Sequence, residues 1–267
     1  MRGEEETVEG SGARNSDYVQ TLARGLAVIR VFSAERSALT LSEVAKEADL
    51  TRAAARRFLL TLVELGYVRA DGRQFTLTPR VLELGYAYLS SLTLPELAQP
   101  HLERLAAEVQ ESASVAVLDG ADVVYVSRVA TSRIMRVAIN IGTRFPATIT
   151  SMGRVLLAGL APDELDRLLA AASLEARTPY SITDERRLRA ELDKVRSQGW
   201  AFVDQELEEG LRSIAVPIRG SFGTVSAAMN VSSTTGRTTL NSARRRLLPV
   251  LLGTAARIEA DLATTGR

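Results

Sequence analysis

The stretch "LTLSEVAKEADLTRAAARRFLLTLVELGYVRADGRQFTL", Leu39 to Leu77, decides the reading of this chain. Thr40 stands three residues before Glu43, the spacing of a capping box in which hydroxyl and carboxylate each satisfy a free backbone amide. Leu41, Val44, Ala45 and Ala48 follow at helical spacing. "ADL" is a tight break, Thr51 is the expected N-cap of a second helix, and that helix runs to about Leu65 and stops at Gly66. Its buried set is Ala55, Phe58, Leu59 and Leu62, and Arg52, Ala53, Arg56 and Arg57 occupy the opposite face. "GYVRADGRQFTLTP" then reads as two short strands, 67–69 and 74–77, around the hairpin signal Asp71-Gly72. Ahead of all this, Val19, Leu22, Leu26, Ile29 and Val31/Phe32 mark an amphipathic helix from Tyr18 to Phe32. Helix, short helix, turn, helix and basic hairpin is the order of a winged helix-turn-helix.

In such a unit the second helix of the motif enters the major groove with its N-terminal residues near the base edges. Ala53 and Ala54 let the backbone approach closely, and an alanine methyl can touch a thymine methyl. Arg52 and Arg56 lie one turn apart, placed to take guanine bidentately or to hold phosphates. Arg57 joins them, Arg69 and Arg73 flank the hairpin tip, and Thr40, Ser42 and Thr51 sit at the two helix starts; these ten residues are the expected DNA-contacting set. The rival reading is a solvated face built from good helix formers. Charge favours DNA: residues 18–80 are net +4, residues 1–17 net −3 and residues 81–267 net 0, so the basic excess of a chain with net charge +1 is local.

The rest of the 267 residues fixes the context. With 46% hydrophobic and 24% charged residues the composition is that of a globular protein. No apolar run approaches the roughly 20 residues that cross a bilayer. There is no cysteine, and His101, on a polar helix position and expected to be exposed, is the only histidine, so disulfides, thiolate nucleophiles and multi-histidine metal sites are excluded. No cofactor is expected, and a cytoplasmic location fits. Residues 1–17 read as a disordered tail, 18–80 as the DNA-binding domain, 81–92 as a linker helix whose apolar side chains suit pairing with a second subunit, and 93–267 as an effector domain. In that domain "SVAVLDGADVVYVSRV", "RIMRVAINIG", "WAFVDQE", "LRSIAVPIRG" and "GTVSAAMNVSS" read as strands framed by amphipathic helices, an α+β arrangement like the GAF and PAS sensor folds. An enzyme is disfavoured: no Gly-rich phosphate loop, G-x-S-x-G elbow or zinc motif occurs, and the acidic run Asp204, Glu206, Glu208, Glu209 reads as a solvated loop.

Together "RGLAVIRVF", the capped helix pair and wing, "TSMGRVLLAGL" and "GWAFVDQELEEGLRSIAVPI" resemble the IclR-type transcriptional regulators over nearly the whole chain from Tyr18. Within that family "INIGTRFPATITSMGRVLLAGL" looks most like the Pca/Pob-type subgroup, which controls catabolism of protocatechuate, 4-hydroxybenzoate and β-ketoadipate. The resemblance implies a regulator that binds double-stranded promoter DNA as a homodimer, often paired into tetramers, under control of a small organic acid. It also implies effector contacts at Ser151 and Met152, at Asp204 and at Ser213; some members carry cysteine at the Ser213 position. A regulator of another carboxylic-acid pathway, and a sensor acting through protein partners without DNA, are the alternatives.

The residues around these positions suit an acid. Gly142 offers a bend, Pro146 a strand stop, and Thr150 or Ser151 an N-cap for a helix whose amide end favours anions. Arg144 and Arg154 are close in sequence, and Arg133 and Arg136 lie on the preceding strand. Arginine grips a carboxylate through two parallel hydrogen bonds. Arg136, Arg144, Ser151, Met152, Gly153, Arg154, Asp204 and Ser213 are therefore the expected effector-binding residues. The alternative makes Ser151 only a cap and the arginines surface residues.

Overall fold

The computed structural model describes residues 18–33, 35–84, 93–131, 139–172, 174–220 and 223–265. The chain divides into two compact units, Met1–Tyr88 and Leu89–Arg267. The expected tail, most of the linker helix, and Arg133 and Arg136 lie outside the described residues.

In the first unit, helices α1 (Gln20–Arg30), α2 (Leu41–Glu47) and α3 (Arg52–Glu64) pack on a small sheet of β1 (Ala38–Thr40), β2 (Val68–Asp71) and β3 (Gln74–Leu77) in the order β1-β3-β2. The capping box forms as its spacing predicts: the Thr40 hydroxyl accepts the Glu43 amide, and Glu43 accepts the Thr40 amide at 2.7 Å. Asp49 takes a left-handed φ of 52°, so the Leu50 amide returns to the Ala45 carbonyl and α2 ends at once. Thr51 caps α3 by accepting the Ala54 amide. Thr51→Ala should cost about 1 kcal/mol, read as a lower melting temperature. Gly66 ends α3 with φ 79°, and the Arg80 guanidinium donates to the Leu65 carbonyl at the negative end of the helix.

Two features differ from expectation. The polar loop before α2 supplies a third strand, β1, which pairs with β3 and gives the wing a second neighbour. The hairpin turn itself is Gly72-Arg73, since Asp71 pairs with Gln74. On α1, Val28 is buried, whereas Tyr18 and Val19 just before the helix, and Leu22 and Leu26 within it, are about half exposed or more. The apolar face read from the sequence is thus only partly covered by its own unit.

The second unit is a six-stranded antiparallel sheet in the order β6-β5-β4-β9-β8-β7. Its strands are β4 (Ser112–Asp119), β5 (Asp122–Val129), β6 (Arg144–Pro146), β7 (Ala201–Asp204), β8 (Leu211–Arg219) and β9 (Val225–Thr234). On one face lie α4 (Thr93–Val109) and α8 (Leu248–Thr265), whose Leu102, Leu105, Leu251 and Ile258 pack on Val115, Ile214, Val216 and Met229. On the other lie α5 (Ser151–Ala158), α6 (Pro162–Ala171) and α7 (Glu185–Gln198), with Met152, Leu157, Leu188 and Leu192 against Ala116, Tyr125, Ala215 and Ala228. Each face thus has its own core, because alternate residues of each strand point to opposite sides. The α+β class matches the sequence reading; of the stretch read as the third strand, residues 133–138 lie outside the described residues and 139–142 form no strand, while β6 starts only at Arg144.

One irregularity matters. Between β4 and β5 the register shifts after Val115, which pairs with Ser127, while the next residue, Ala116, pairs with Tyr125. Val126 is the extra residue of a β-bulge. It inverts the alternation, so Arg128 shares the α5-facing side with Tyr125, opposite Ser114.

Candidate functional site

The basic face of the first unit rests on α3. Ala55, Leu59 and Leu62 are buried, which turns Arg52, Ala53, Arg56 and Arg57 outward, all exposed; Phe58 is half-buried. Arg69 and Arg73 are exposed beside the wing tip. Among the described residues none of these arginines has a carboxylate partner, so their charge is available to a polyanion. Thr51 and Thr40 spend their hydroxyls on caps, Ser42 is exposed, and Ala54 is half-buried.

In the second unit a gap opens between α5 and the sheet. Tyr125, Ile139, Ile149, Thr150, Val203, Leu207, Leu211, Ser213, Asn230 and Ser232 line it, and its cavity volume is about 10 Å³, room for one water molecule, so any larger occupant must move α5 away from the sheet. Thr150, not Ser151, is the cap of α5: its hydroxyl accepts the Gly153 amide at 3.0 Å. That frees Ser151, fully buried, to accept a 2.8 Å hydrogen bond from Ser213 on β8. The structure brings these two expected residues together. Met152 is a core residue of the same face. Gly153 is where α5 crosses the backbone of Ala147; a Cβ there would lie inside the van der Waals envelope of the Ala147 carbonyl.

The expected arginines are not at this gap. Arg144 stands on the surface, paired with Asp119 at 2.6 Å and Asp122 at 3.2 Å, which hold its guanidinium above its usual pKa. Arg154 is buried but already satisfied, with Glu206 at 2.6 Å and the Thr148 carbonyl at 3.2 Å. The Glu206 carboxyl is itself pushed up by burial, more than Arg154 and the Ile182 amide pull it down. Glu206 is therefore a buried partner and not part of a solvated run. Asp204 pairs with Arg212 through two bonds of 2.7 and 3.0 Å. Strand alternation explains this: Ser213 faces Val203 across the ladder, so Asp204 and Arg212 project from the other side of the sheet. His101 is also a correction. It is buried between α4 and α8, 2.7 Å from Asp261 and 2.9 Å from the Arg104 guanidinium.

The sequence reading missed the polar row of the sheet itself. Ser114, Asn230 and Ser232 on β4 and β9 face α5, hidden among apolar and small neighbours in runs that look like ordinary strands. Burial raises the Tyr125 hydroxyl to about 12, so it stays a hydrogen-bonding phenol. No group of three or more metal-binding side chains occurs among the described residues.

A winged helix-turn-helix with a free basic face, on a chain whose second unit encloses a polar gap, is the plan of a ligand-responsive regulator. Comparison with known protein families decides which kind. Residues 86–260 match the bacterial transcriptional regulator IclR C-terminal family, and residues 21–72 match the IclR helix-turn-helix domain. The chain belongs to the IclR family. Like other members of this family of transcriptional regulators it is a DNA-binding protein. An IclR relative, the Pca regulon regulatory protein of Pseudomonas putida, is 47% identical over 237 residues, 88% of this chain and 81% of the relative. The crystal structure of a protein described as a transcriptional regulator from Rhodococcus sp. RHA1 superposes with a TM-score of 0.83 at 59% identity, covering 93% of this chain and all of that one. An IclR homolog from Microbacterium hydrocarbonoxydans, complexed with 4-hydroxybenzoate, superposes at 0.80 with 28% identity over 92% of this chain and 100% of its own.

Proposed function

We propose that this IclR-type regulator binds operator DNA through α3 and the wing and that a small aromatic acid of the hydroxybenzoate class, bound in the gap beneath α5, modulates that binding. It controls an aromatic-acid catabolic operon and acts in the cytoplasm. The observation that carries the reading is the polar lining of the gap: Ser213, which donates to buried Ser151 at 2.8 Å, and Asn230, which is 3% exposed and has an unpaired amide oxygen. A buried polar group without a partner costs about 1–3 kcal/mol, so such a site favours a polar occupant. The names of the Pseudomonas putida relative and of the 4-hydroxybenzoate complex support the choice of acid.

Arg52, Ala53, Ala54, Arg56, Arg57, Arg69 and Arg73, with Ser42, Thr40 and Thr51 at the helix starts, are the proposed DNA contacts. The gap takes Ser151 and Ser213 from the expected effector set, with Met152 and Gly153 shaping α5 behind them. We assign the active form to a homodimer that pairs into tetramers on DNA. Exposed Tyr18, Val19, Leu22 and Leu26, with Leu82 and Leu84 after the wing, offer the apolar seam such pairing needs.

The test is a titration of the full chain against DNA from upstream of its own and neighbouring genes, at fixed salt, with and without 4-hydroxybenzoate, protocatechuate and β-ketoadipate. Site-specific binding that one acid strengthens or weakens is the expected result. Specific binding indifferent to all three removes the aromatic-acid assignment. Ser151→Phe should fill the gap and abolish the response while DNA binding stays within about twofold; an unchanged response removes Ser151 from the site.

A further inference from the structure

Resting on the DNA-binding reading above, we propose that Arg24 of α1 and Arg57 of α3 clasp one phosphate of the DNA backbone at the edge of the major groove, in a cleft between the two helices. The ligand is a phosphodiester. The contact carries no base information; it fixes the depth and register at which α3 sits in the groove.

Helical spacing places the cleft. On α1, Thr21, Arg24, Gly25 and Val28 fall at i, i+3, i+4 and i+7 and share one side, whereas exposed Leu22 and Leu26 look out from the next. On α3, Ala54, Arg57, Phe58 and Thr61 repeat the same spacing. The two stripes face each other: Val28 is buried, and a Cβ added at Gly25 would touch the Phe58 ring at 3.8 Å. Between them a cavity of about 310 Å³ is lined by Thr21, Arg24, Ala54, Arg57, Phe58 and Thr61. Half-buried Phe58 is its apolar floor, and the two arginines and two threonines are exposed around it. Buried Ala55, Leu59 and Leu62 fix the rotation of α3, so Arg57 stands on the edge of the outward face that carries Ala53 and Arg56.

Among the described residues neither guanidinium has a hydrogen-bond or carboxylate partner. The Thr61 hydroxyl donates to the Arg57 carbonyl at 2.9 Å, so Thr21 is the threonine left to donate into the cleft. Two unpaired guanidinium groups on one cleft repel each other; an anion between them removes the repulsion and gains two charge-assisted pairs. Arginine suits this role better than lysine, because its planar fork matches phosphate oxygens. The neighbourhood says which anion. The major groove is about 12 Å wide and a helix with its side chains is about 10–12 Å across, so the flanks of a helix in the groove stand against its phosphate walls. The flank of α3 that bears Arg57 is the one α1 packs on, and packed helix axes lie roughly 8–10 Å apart, within reach of an arginine side chain. Phe58 then offers the deoxyribose an apolar surface.

The experiment measures binding of the full chain to an operator fragment and to random DNA over a range of salt, for wild type, Arg24→Ala, Arg24→Lys and Arg57→Ala, with melting temperatures. It is repeated on operators that carry one uncharged methylphosphonate at each backbone position in turn. Arg24→Ala should weaken operator and random DNA by the same factor, about tenfold, and lower the slope of log affinity against log salt by about 1. Its melting temperature should equal wild type, and Arg24→Lys should keep most of the slope. At one backbone position the methylphosphonate should cost wild type about tenfold and cost Arg24→Ala and Arg57→Ala alike less than about twofold, the mark of a shared phosphate. Wild-type affinity and slope in Arg24→Ala overturn the clamp. Insensitivity of the two variants to different phosphates overturns the shared site. If replacing Arg52 and Arg56 abolishes operator binding while Arg24→Ala changes nothing, the clamp alone falls. If wild type prefers no DNA over random sequence, the DNA reading falls with it.

Discussion

Replacing Arg52 and Arg56 together by alanine is expected to weaken operator binding about 10²- to 10⁴-fold, since each well-placed arginine contact is worth about 1–3 kcal/mol. Both side chains are exposed on the first turns of α3 and neither is engaged by a carboxylate, so nothing in the fold depends on them. Alanine is also the better helix former, which keeps α3 intact. The melting temperature of the double variant should match wild type. The salt dependence separates two roles: a lost phosphate contact lowers the slope of log affinity against log salt by about 1, whereas a lost base contact relaxes sequence preference at one position. Operator affinity within threefold of wild type would remove α3 from the DNA interface.

Gly153→Ala is the second variant with a large expected effect. The added Cβ meets backbone, not a flexible side chain: it would lie 2.5 Å from the Ala147 carbonyl carbon and closer still to its oxygen. The turn Ala147–Ile149 and the start of α5 would have to separate. That separation strains the Thr150 cap on the Gly153 amide, the Ser151–Ser213 bond and the Arg154 bond to the Thr148 carbonyl together. A loss of at least about 3 kcal/mol is expected, the upper range for overpacking. Trp200 is the only tryptophan and lies in the second unit, so its fluorescence in a urea titration reports that unit alone. A midpoint equal to wild type would mean that this crossing is looser than described.

The parts legible in the sequence are those fixed by neighbours in the chain. Thr40 with Glu43, Thr51, Gly66 and the alternation around Asp71-Gly72 announce themselves within four residues, because caps and turns are local chemistry. The strand β1 was invisible, since only its pairing with β3 makes three residues a strand. The gap was half legible. Ser151 and Ser213 do meet in space, but the arginines nearest in sequence are paired with Asp119, Asp122 and Glu206, partners up to 52 positions away. Asp204 lies on the side of the sheet away from Ser213, because pairing register, not residue type, decides which side a side chain serves. His101 looked exposed because α8, which covers it, arrives at the far end of the chain.

The two cores share one pleated layer, and that has a mechanical consequence. Along β8, Ser213 faces the gap while Ile214 sits in the opposite core and Arg212 donates to the carbonyls of Thr235 and Thr238, in the turn that leads towards α8. Pairing with β7 and β9 holds all three residues in one ladder, so a displacement of the strand at Ser213 carries both neighbours with it. Whatever pushes on the inner surface is thus felt by the outer helices at the next residue, with no relay of side chains between them. The strand works as a lever one peptide long.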